Sequence, residues 1–377
     1  MKATIEQMLL LTIALLSRLL FFVYALLAWL ALPFAAILLA ALILAGFATP
    51  WGAAGLALVL TLTGWRLQHP TRGSGAAGRA GLLARLTDRF IEWIGTLKYF
   101  HSPLCLVEDP GSYRIRGTDI RQLLDGGLLQ PGDILLRGYR GYLDGELIRR
   151  TGGADGAGIH FSHAALYVGR LDESDRKLAA SASRVRDGNG GWRPASPAEQ
   201  DAFRNDPGYF QTGPQMVLHA MAKGVHVEDI LTFLRCDYLA VLRLPETVQL
   251  DAEASVFKPL IAPGRTEMRA AADLDARLCA GEPIPRGEIV TMARQAGLAH
   301  IGASYDYLFE ADFNRFSCSE FVYFCYVGVH RYIGLQPKKH SIAGLFARQA
   351  VTPPDIFGAC ADGKLSVAWT NVETGRQ

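Results

Sequence analysis

The residue best suited to covalent chemistry is Cys318, within the segment Phe316-Ser317-Cys318-Ser319-Glu320-Phe321-Val322. The polar residues predict the start of a helix, and the apolar run predicts its continuation. A thiol at a helix N-terminus lies near the positive end of the helix dipole and near free backbone N–H groups. Both features lower the thiol pKa and can stabilise an oxyanion. We therefore expect Cys318 to be a nucleophile, the alternative being a small buried hydrophobic residue, as we expect for Cys325.

A nucleophilic cysteine needs a base, and two histidines at predicted strands are candidates. His163 stands at the start of an apolar strand and is the predicted base. His219 lies on a second apolar strand and would orient His163 as the third member of a triad. The alternative for each is a packed structural histidine. His160 and His226 lie nearby in the sequence and are expected to be exposed or structural.

The elements that would position these residues follow from apolar periodicity and turn signals. Strands are predicted over residues 134–136, 162–169, 216–220, 225–227 and 238–244, with a turn at 223–224. Helices are predicted over residues 143–151, 265–280, 286–298 and 317–329. Residues 171–213 are polar and rich in Ser, Asp, Gly and Pro, which predicts a long surface insertion that could act as a lid or partner surface.

The N-terminal part of the chain has the composition of a membrane anchor. From Met8 to Leu62 the only formal charge is Arg18, and a transmembrane helix needs about 20 apolar residues. Two spans are predicted, near residues 8–31 and 35–62, and a break at Pro50 leaves a third open. A signal peptide is the alternative, but its apolar region is only about 7–15 residues long.

Five arginines follow the last predicted span closely, at positions 66, 72, 79, 85 and 89. Positive charge next to a span favours the cytoplasmic side. We therefore predict a multi-pass protein of a bacterial-type inner membrane with a cytoplasmic catalytic domain. The predicted divisions are an anchor at 1–66, a linker with an amphipathic helix at 67–114, and a hydrolase domain at 115–377.

Charge and cysteine spacing argue against nucleic-acid binding and against a cysteine-based metal site. The 377 residues carry a formal net charge of +2, and no basic stripe or RNA-binding motif is visible, so nucleic acid is not an expected partner. The six cysteines form no CxxC pair and no cluster with zinc-binding spacing. We expect free thiols, no metal and no cofactor.

Five short segments follow one another in order over roughly residues 128–356. They are Pro131-Gly132-Asp133-Ile134-Leu135, Phe161-Ser162-His163-Ala164-Ala165-Leu166-Tyr167-Val168-Gly169, Val217-Leu218-His219-Ala220 with Gly224-Val225, Ser304-Tyr305-Asp306-Tyr307-Leu308-Phe309 with the Cys318 segment, and Val351-Thr352-Pro353-Pro354-Asp355. In this order they resemble the YiiX/YaeF-like permuted papain-like cysteine hydrolases, members of an NlpC-type superfamily.

The resemblance implies an α+β, circularly permuted papain-like fold, with a small antiparallel sheet packed on the nucleophile helix. The transmembrane hairpin predicted from the apolar N-terminal segment precedes this fold. The resemblance also implies Cys318 as nucleophile, His163 as base and His219 as third catalytic residue. Tyr305 and Ser319 are candidates for the substrate or oxyanion site, and a packing role is the alternative for Tyr305. Most YiiX-type proteins have Glu where this chain has His219. A histidine there is similar to the related lecithin:retinol acyltransferases, which act on lipid acyl groups.

The predicted function is therefore a membrane-anchored cysteine hydrolase or acyltransferase. It would act on an ester or amide bond, with a lipid or other membrane-associated acyl group as substrate, through a Cys thioester. Two alternatives stay open: an amidase on peptides or peptidoglycan fragments, and a non-catalytic membrane scaffold.

Overall fold

The computed structural model describes residues 113–139, 158, 160–187, 191–250, 266–306, 309, 312–342 and 346–372. This part of the chain contains both strands and helices. Its twelve strands are β1 (Ile134–Gly138), β2 (His163–Leu171), β3 (Arg184–Arg186), β4 (Trp192–Pro194), β5 (Gly213–Met221), β6 (Gly224–Asp229), β7 (Tyr238–Arg243), β8 (Thr247–Val248), β9 (Ile284–Pro285), β10 (Lys338–Ile342), β11 (Phe346–Ala350) and β12 (Ser366–Thr370). Its seven α-helices are α1 (Gly117–Leu124), α2 (Pro197–Asn205), α3 (Ile230–Phe233), α4 (Thr266–Cys279), α5 (Arg286–Ala299), α6 (Cys318–Cys325) and α7 (Pro353–Gly358). The predicted α+β class is confirmed.

A six-stranded antiparallel sheet forms the centre of the described structure, in the order β12-β7-β1-β2-β5-β6. The predicted strands at 134–136, 162–169, 216–220, 225–227 and 238–244 all belong to this sheet. The turn predicted at 223–224 joins β5 to β6. The antiparallel sheet that the resemblance implies is therefore confirmed, and its strands at these positions were predictable because alternation and turn signals are local.

The inner strands of the sheet are buried on both faces, and side-chain alternation along them separates two cores. Leu166, Leu218 and Leu242 belong to the larger core, together with residues of α5 and α6. Ala165 and Val217 belong to the smaller core, which also contains residues of α1 and α3. The Cys318 helix therefore packs on one face, whereas α3 packs on the other.

Helix α6 is shorter than predicted, ending at Cys325 instead of near Val329. Residues beyond it form turns that include Gly328. Glycine disfavours helix continuation, and a Cβ at position 328 would lie 2.8 Å from the carbonyl oxygen of Ala271 on α4. The close approach of this backbone to α4 therefore accounts for the end of the helix, although the apolar pattern of the sequence continues past Cys325. The helices predicted at 265–280 and 286–298 are confirmed as α4 and α5.

The segment 171–213 connects the neighbouring strands β2 and β5 and has structure of its own. It contains a 3₁₀ turn at Asp175–Lys177, the β3–β4 hairpin and helix α2. Ser183 and Phe210 in it are buried, so part of the segment packs against the domain.

Several predictions concern residues outside the described ranges: the two spans, the linker and amphipathic helix, and the short helix at 143–151. Within the described ranges, no helix is long and apolar enough to cross a membrane.

Candidate active site

Cys318 is the first residue of α6, and its neighbours fix the start of that helix. The Ser317 side chain accepts a hydrogen bond from the backbone N–H of Glu320 at 3.4 Å, and the Glu320 carboxylate accepts one from the backbone N–H of Ser317 at 3.2 Å. This reciprocal capping box satisfies two backbone donors that the helix leaves unpaired. Cys318 is thereby held at the helix N-terminus predicted from the sequence, and it is only 3% exposed.

Burial raises the pKa of the Cys318 thiol above its ordinary value. Hydrogen bonds from the backbone of Ala164 and Ser319 and from the Tyr305 side chain lower the pKa, but burial outweighs them. The net lowering expected from the helix N-terminus is therefore wrong in direction, because desolvation disfavours the thiolate more than these hydrogen bonds favour it. A buried, protonated thiol needs a proton acceptor before it can attack a carbonyl.

Strand β2 brings the predicted base close to this thiol in the fold. Its ladder with β5 starts at the pair Leu166–Leu218, two residues beyond Ala164. The Ala164 backbone contributes a hydrogen bond to the Cys318 thiol. His163, the first residue of β2, is therefore the immediate chain neighbour of a residue that contacts the thiol. The structure thus places the predicted nucleophile against the backbone next to the predicted base, whose ring contacts His219 and Phe233.

His163 and His219 form a direct pair. The Nε2 atom of His163 lies 2.8 Å from Nδ1 of His219, and both rings pack against Phe233 of α3. His219 is fully buried, and burial together with the nearby His226, His163, Arg137 and Lys223 lowers its pKa well below the ordinary value. A neutral His219 can fix which nitrogen of His163 carries the proton.

Tyr305 reaches the site through a short parallel bridge to Phe316. The Phe316 backbone N–H donates to Ser304 at 3.0 Å, and its carbonyl accepts from Asp306 at 3.1 Å. Tyr305 is half-buried, and its side chain contributes a hydrogen bond to the Cys318 thiol. This position is compatible with its predicted role as an oxyanion donor.

The Ser319 hydroxyl donates a 2.6 Å hydrogen bond to the backbone carbonyl of Val351. A hydroxyl carries only one proton, so this contact uses it to join α6 to the segment before α7. Both the backbone and the hydroxyl of Ser319 hydrogen-bond the Cys318 thiol and lower its pKa, but the hydroxyl proton is used by the Val351 carbonyl. An oxyanion contribution from Ser319 would therefore come from its backbone N–H.

Sequence reasoning missed three residues that surround His219. His226 is the cross-strand partner of His219, and their ring centroids are 4.3 Å apart. Glu228 has a carboxylate oxygen 3.6 Å from Nε2 of His219, and the guanidinium of Arg137 lies 3.4 Å from the same oxygen. The β5–β6 hairpin register, which the predicted turn at 223–224 implies, was the signal that could have identified His226. His160 is half-buried and stacks on Tyr238 with centroids 4.5 Å apart.

The prediction of free thiols is confirmed for the five described cysteines, Cys236, Cys279, Cys318, Cys325 and Cys360. Cys325 is fully buried and its pKa is raised by burial, which is the structural role expected of it. Cys105 lies outside the described residues.

Comparisons with known proteins add no assignment. No family model matches the chain, and no curated protein or solved structure is significantly similar to it. The candidate site therefore stands on its own geometry.

Proposed function

We propose that this chain is a membrane-anchored cysteine hydrolase or acyltransferase that transfers an acyl group, in particular a lipid acyl group, through a thioester on Cys318. The observation that carries the proposal is that the Cys318 thiol lies against the backbone beside His163, which itself pairs with His219. The Ala164 backbone next to His163 contacts the Cys318 thiol, and His163 pairs with His219 at 2.8 Å. A thiol, a base and a residue that orients the base are the parts of a nucleophilic triad.

The reaction begins with transfer of the Cys318 proton to Nδ1 of His163. Because Nε2 of His163 faces His219, Nδ1 is the nitrogen left for the thiol. The thiolate attacks the acyl carbonyl carbon, and the carbonyl electrons move to the oxygen. Tyr305 and the Ser319 backbone N–H, which both hydrogen-bond the thiol, would stabilise that oxyanion.

The oxyanion then collapses and the bond to the leaving alcohol or amine breaks, with His163 returning its proton to the leaving group. Water or an acceptor alcohol enters, gives its proton to His163 and attacks the thioester. Collapse of the second intermediate releases the acyl product and the Cys318 thiolate, and His163 returns its proton to restore the thiol. His219 holds the His163 tautomer throughout.

The preference for a lipid rests on two sequence features, the apolar N-terminal segment and the histidine at position 219 that resembles the lipid-acting branch. The test incubates the purified full-length protein with phospholipid vesicles and measures intact mass. We expect an acyl adduct on Cys318, found by peptide mapping and lost on hydroxylamine treatment. It should be absent in Cys318→Ala and present in the matched control Cys325→Ala, which changes a buried thiol of the same helix.

Lipid extracts from cells carrying wild-type or Cys318→Ala protein would identify the natural acyl group. Identical extracts and no adduct, together with cleavage of peptidoglycan fragments, would replace the lipid assignment by the amidase alternative. Absence of turnover on both substrate classes, with Cys318 no more reactive than Cys325, would contradict the enzyme proposal.

A further inference from the structure

Three potential metal ligands lie together on the β5–β6 hairpin, behind the His163–His219 pair. His219 and His226 are cross-strand partners, and Glu228 is two residues beyond His226, so all three side chains share one face of the sheet. Their ligand atoms lie within 4.8 Å of one another. The 3.6 Å between His219 Nε2 and the Glu228 oxygen is close to the roughly 3.3 Å that separates two ligands of a tetrahedral zinc ion.

Hydrogen bonds at Nδ1 of His219 and of His226 leave the Nε2 atom of each ring to face a metal ion. Nδ1 of His226 donates to the carbonyl of Gly224 at 2.9 Å. A carbonyl can only accept, so the ring lone pair of neutral His226 is on Nε2. Nδ1 of His219 pairs with His163, and its Nε2 faces Glu228. Within the described residues this fully buried Nε2 atom has no hydrogen-bond partner, which is uncommon for a buried polar group.

The positive charge of Arg137 opposes the binding of a cation at this cluster. Arg137 lies 3.4 Å from the Glu228 oxygen, but it also donates to the carbonyl of Phe233 at 3.1 Å and lies over the Phe233 ring. Arginine beside a ligating carboxylate orients that carboxylate, as outer-shell partners do at metal sites. The Glu228 side chain is 21% exposed, which gives an ion an entry path.

We propose that His219, His226 and Glu228 bind a divalent transition-metal ion, zinc in particular, and that bound metal switches off the base His163. Two imidazoles and one carboxylate form a set that zinc accepts, with a fourth position for water. Metal binding is inferred from the geometry of these three residues alone. The effect of the metal on His163 rests on the proposed function, in which Nδ1 of His163 takes the Cys318 proton.

The coupling follows from where protons sit on the two rings. For His163 to accept at Nδ1, its Nε2 must carry hydrogen and donate to Nδ1 of His219, so His219 carries hydrogen on Nε2. A metal on Nε2 of His219 displaces that proton, and the neutral ring must then carry hydrogen on Nδ1. His163 now accepts at Nε2 and carries its hydrogen on Nδ1, where it cannot take the thiol proton. The Nε2 proton of His163 passes to Nδ1 of His219, and the proton displaced from Nε2 of His219 is replaced by one on Nδ1 of His163, so each ring still carries one proton.

Binding is tested on full-length Cys318→Ser protein, which lacks the thiol as a competing ligand, by titrating zinc against a chromophoric indicator. We expect one ion per chain, and His226→Gln or Glu228→Gln should weaken binding by more than about tenfold. The matched control is His300→Gln, since His300 is also buried and bonds the backbone carbonyl of Ala296 through Nδ1 at 2.8 Å. No saturable binding, or undiminished binding in both ligand variants, would overturn the site.

Switching is tested by the rate at which iodoacetamide alkylates Cys318, with and without zinc. Zinc should slow alkylation in the wild type and have little effect in His226→Gln. Equal slowing in both would mean that zinc binds Cys318 directly, which refutes the switch. A metal-free Cys318 no more reactive than Cys325 would instead refute the proposed function and leave the binding result to stand by itself.

Discussion

Replacing His163 by alanine should shift alkylation of Cys318 to higher pH. An ordinary thiol with a pKa of about 8.5 is only about 3% thiolate at pH 7. Burial raises the pKa of Cys318, so its thiolate fraction without a base is smaller still. If wild-type His163 takes the proton and forms a thiolate–imidazolium pair, losing His163 should slow alkylation at pH 7 by roughly tenfold or more. Turnover should fall further, by about 10²–10⁴-fold.

His219 should contribute less, because it acts through His163. His219→Ala removes the partner 2.8 Å from His163 Nε2, and an unpaired polar group at a buried site costs about 1–3 kcal/mol. That corresponds to about 5- to 150-fold in rate. His219→Gln keeps a polar group and should retain measurable activity, and His219→Glu should retain more, since the YiiX-type relatives have a carboxylate there.

The assay measures Cys318 alkylation by mass spectrometry from pH 5 to 10, with Cys325 as an internal control and thermal midpoints recorded for each variant. Overlapping profiles for wild type and His163→Ala would show that His163 is not the proton acceptor. Wild-type turnover per folded molecule in both polar His219 variants would leave a Cys–His dyad.

Three further predictions concern the surroundings of the thiol and the membrane. Tyr305→Phe removes a donor to the Cys318 thiol and should slow turnover by about 10- to 100-fold; unchanged kinetics would give Tyr305 a packing role. Ser319→Ala leaves the Val351 carbonyl without its 2.6 Å partner and should lower the free energy of unfolding by about 1–3 kcal/mol. Its turnover per folded molecule should stay near wild type, and a larger loss of turnover than of stability would place the hydroxyl in the reaction. A reporter that fluoresces only in the cytoplasm, fused after Gln377, should be bright, and a dark one would reverse the predicted orientation.

The local features of the fold were predictable because they depend on residues close in sequence. Apolar alternation and the turn at 223–224 predicted five of the six strands of the central sheet, and the polar residues 317–320 predicted the start of α6. The end of α6 was not predictable, since the apolar run continues past Cys325. There the close approach of Gly328 to α4 decides the backbone path.

The sequence by itself determined the residue types for nucleophilic chemistry and placed Cys318 at a helix N-terminus. Only the tertiary structure brought Nδ1 of His219 within 2.8 Å of Nε2 of His163. The spacing of residues in the sequence does not determine which strands pair or which side chains face each other across a sheet. Tertiary structure also reversed the direction of the Cys318 pKa shift, since burial depends on everything packed around the thiol. The same reason applies to His219, His226 and Glu228, whose spacing indicates no metal site and which only the register of β5 on β6 brings onto one face.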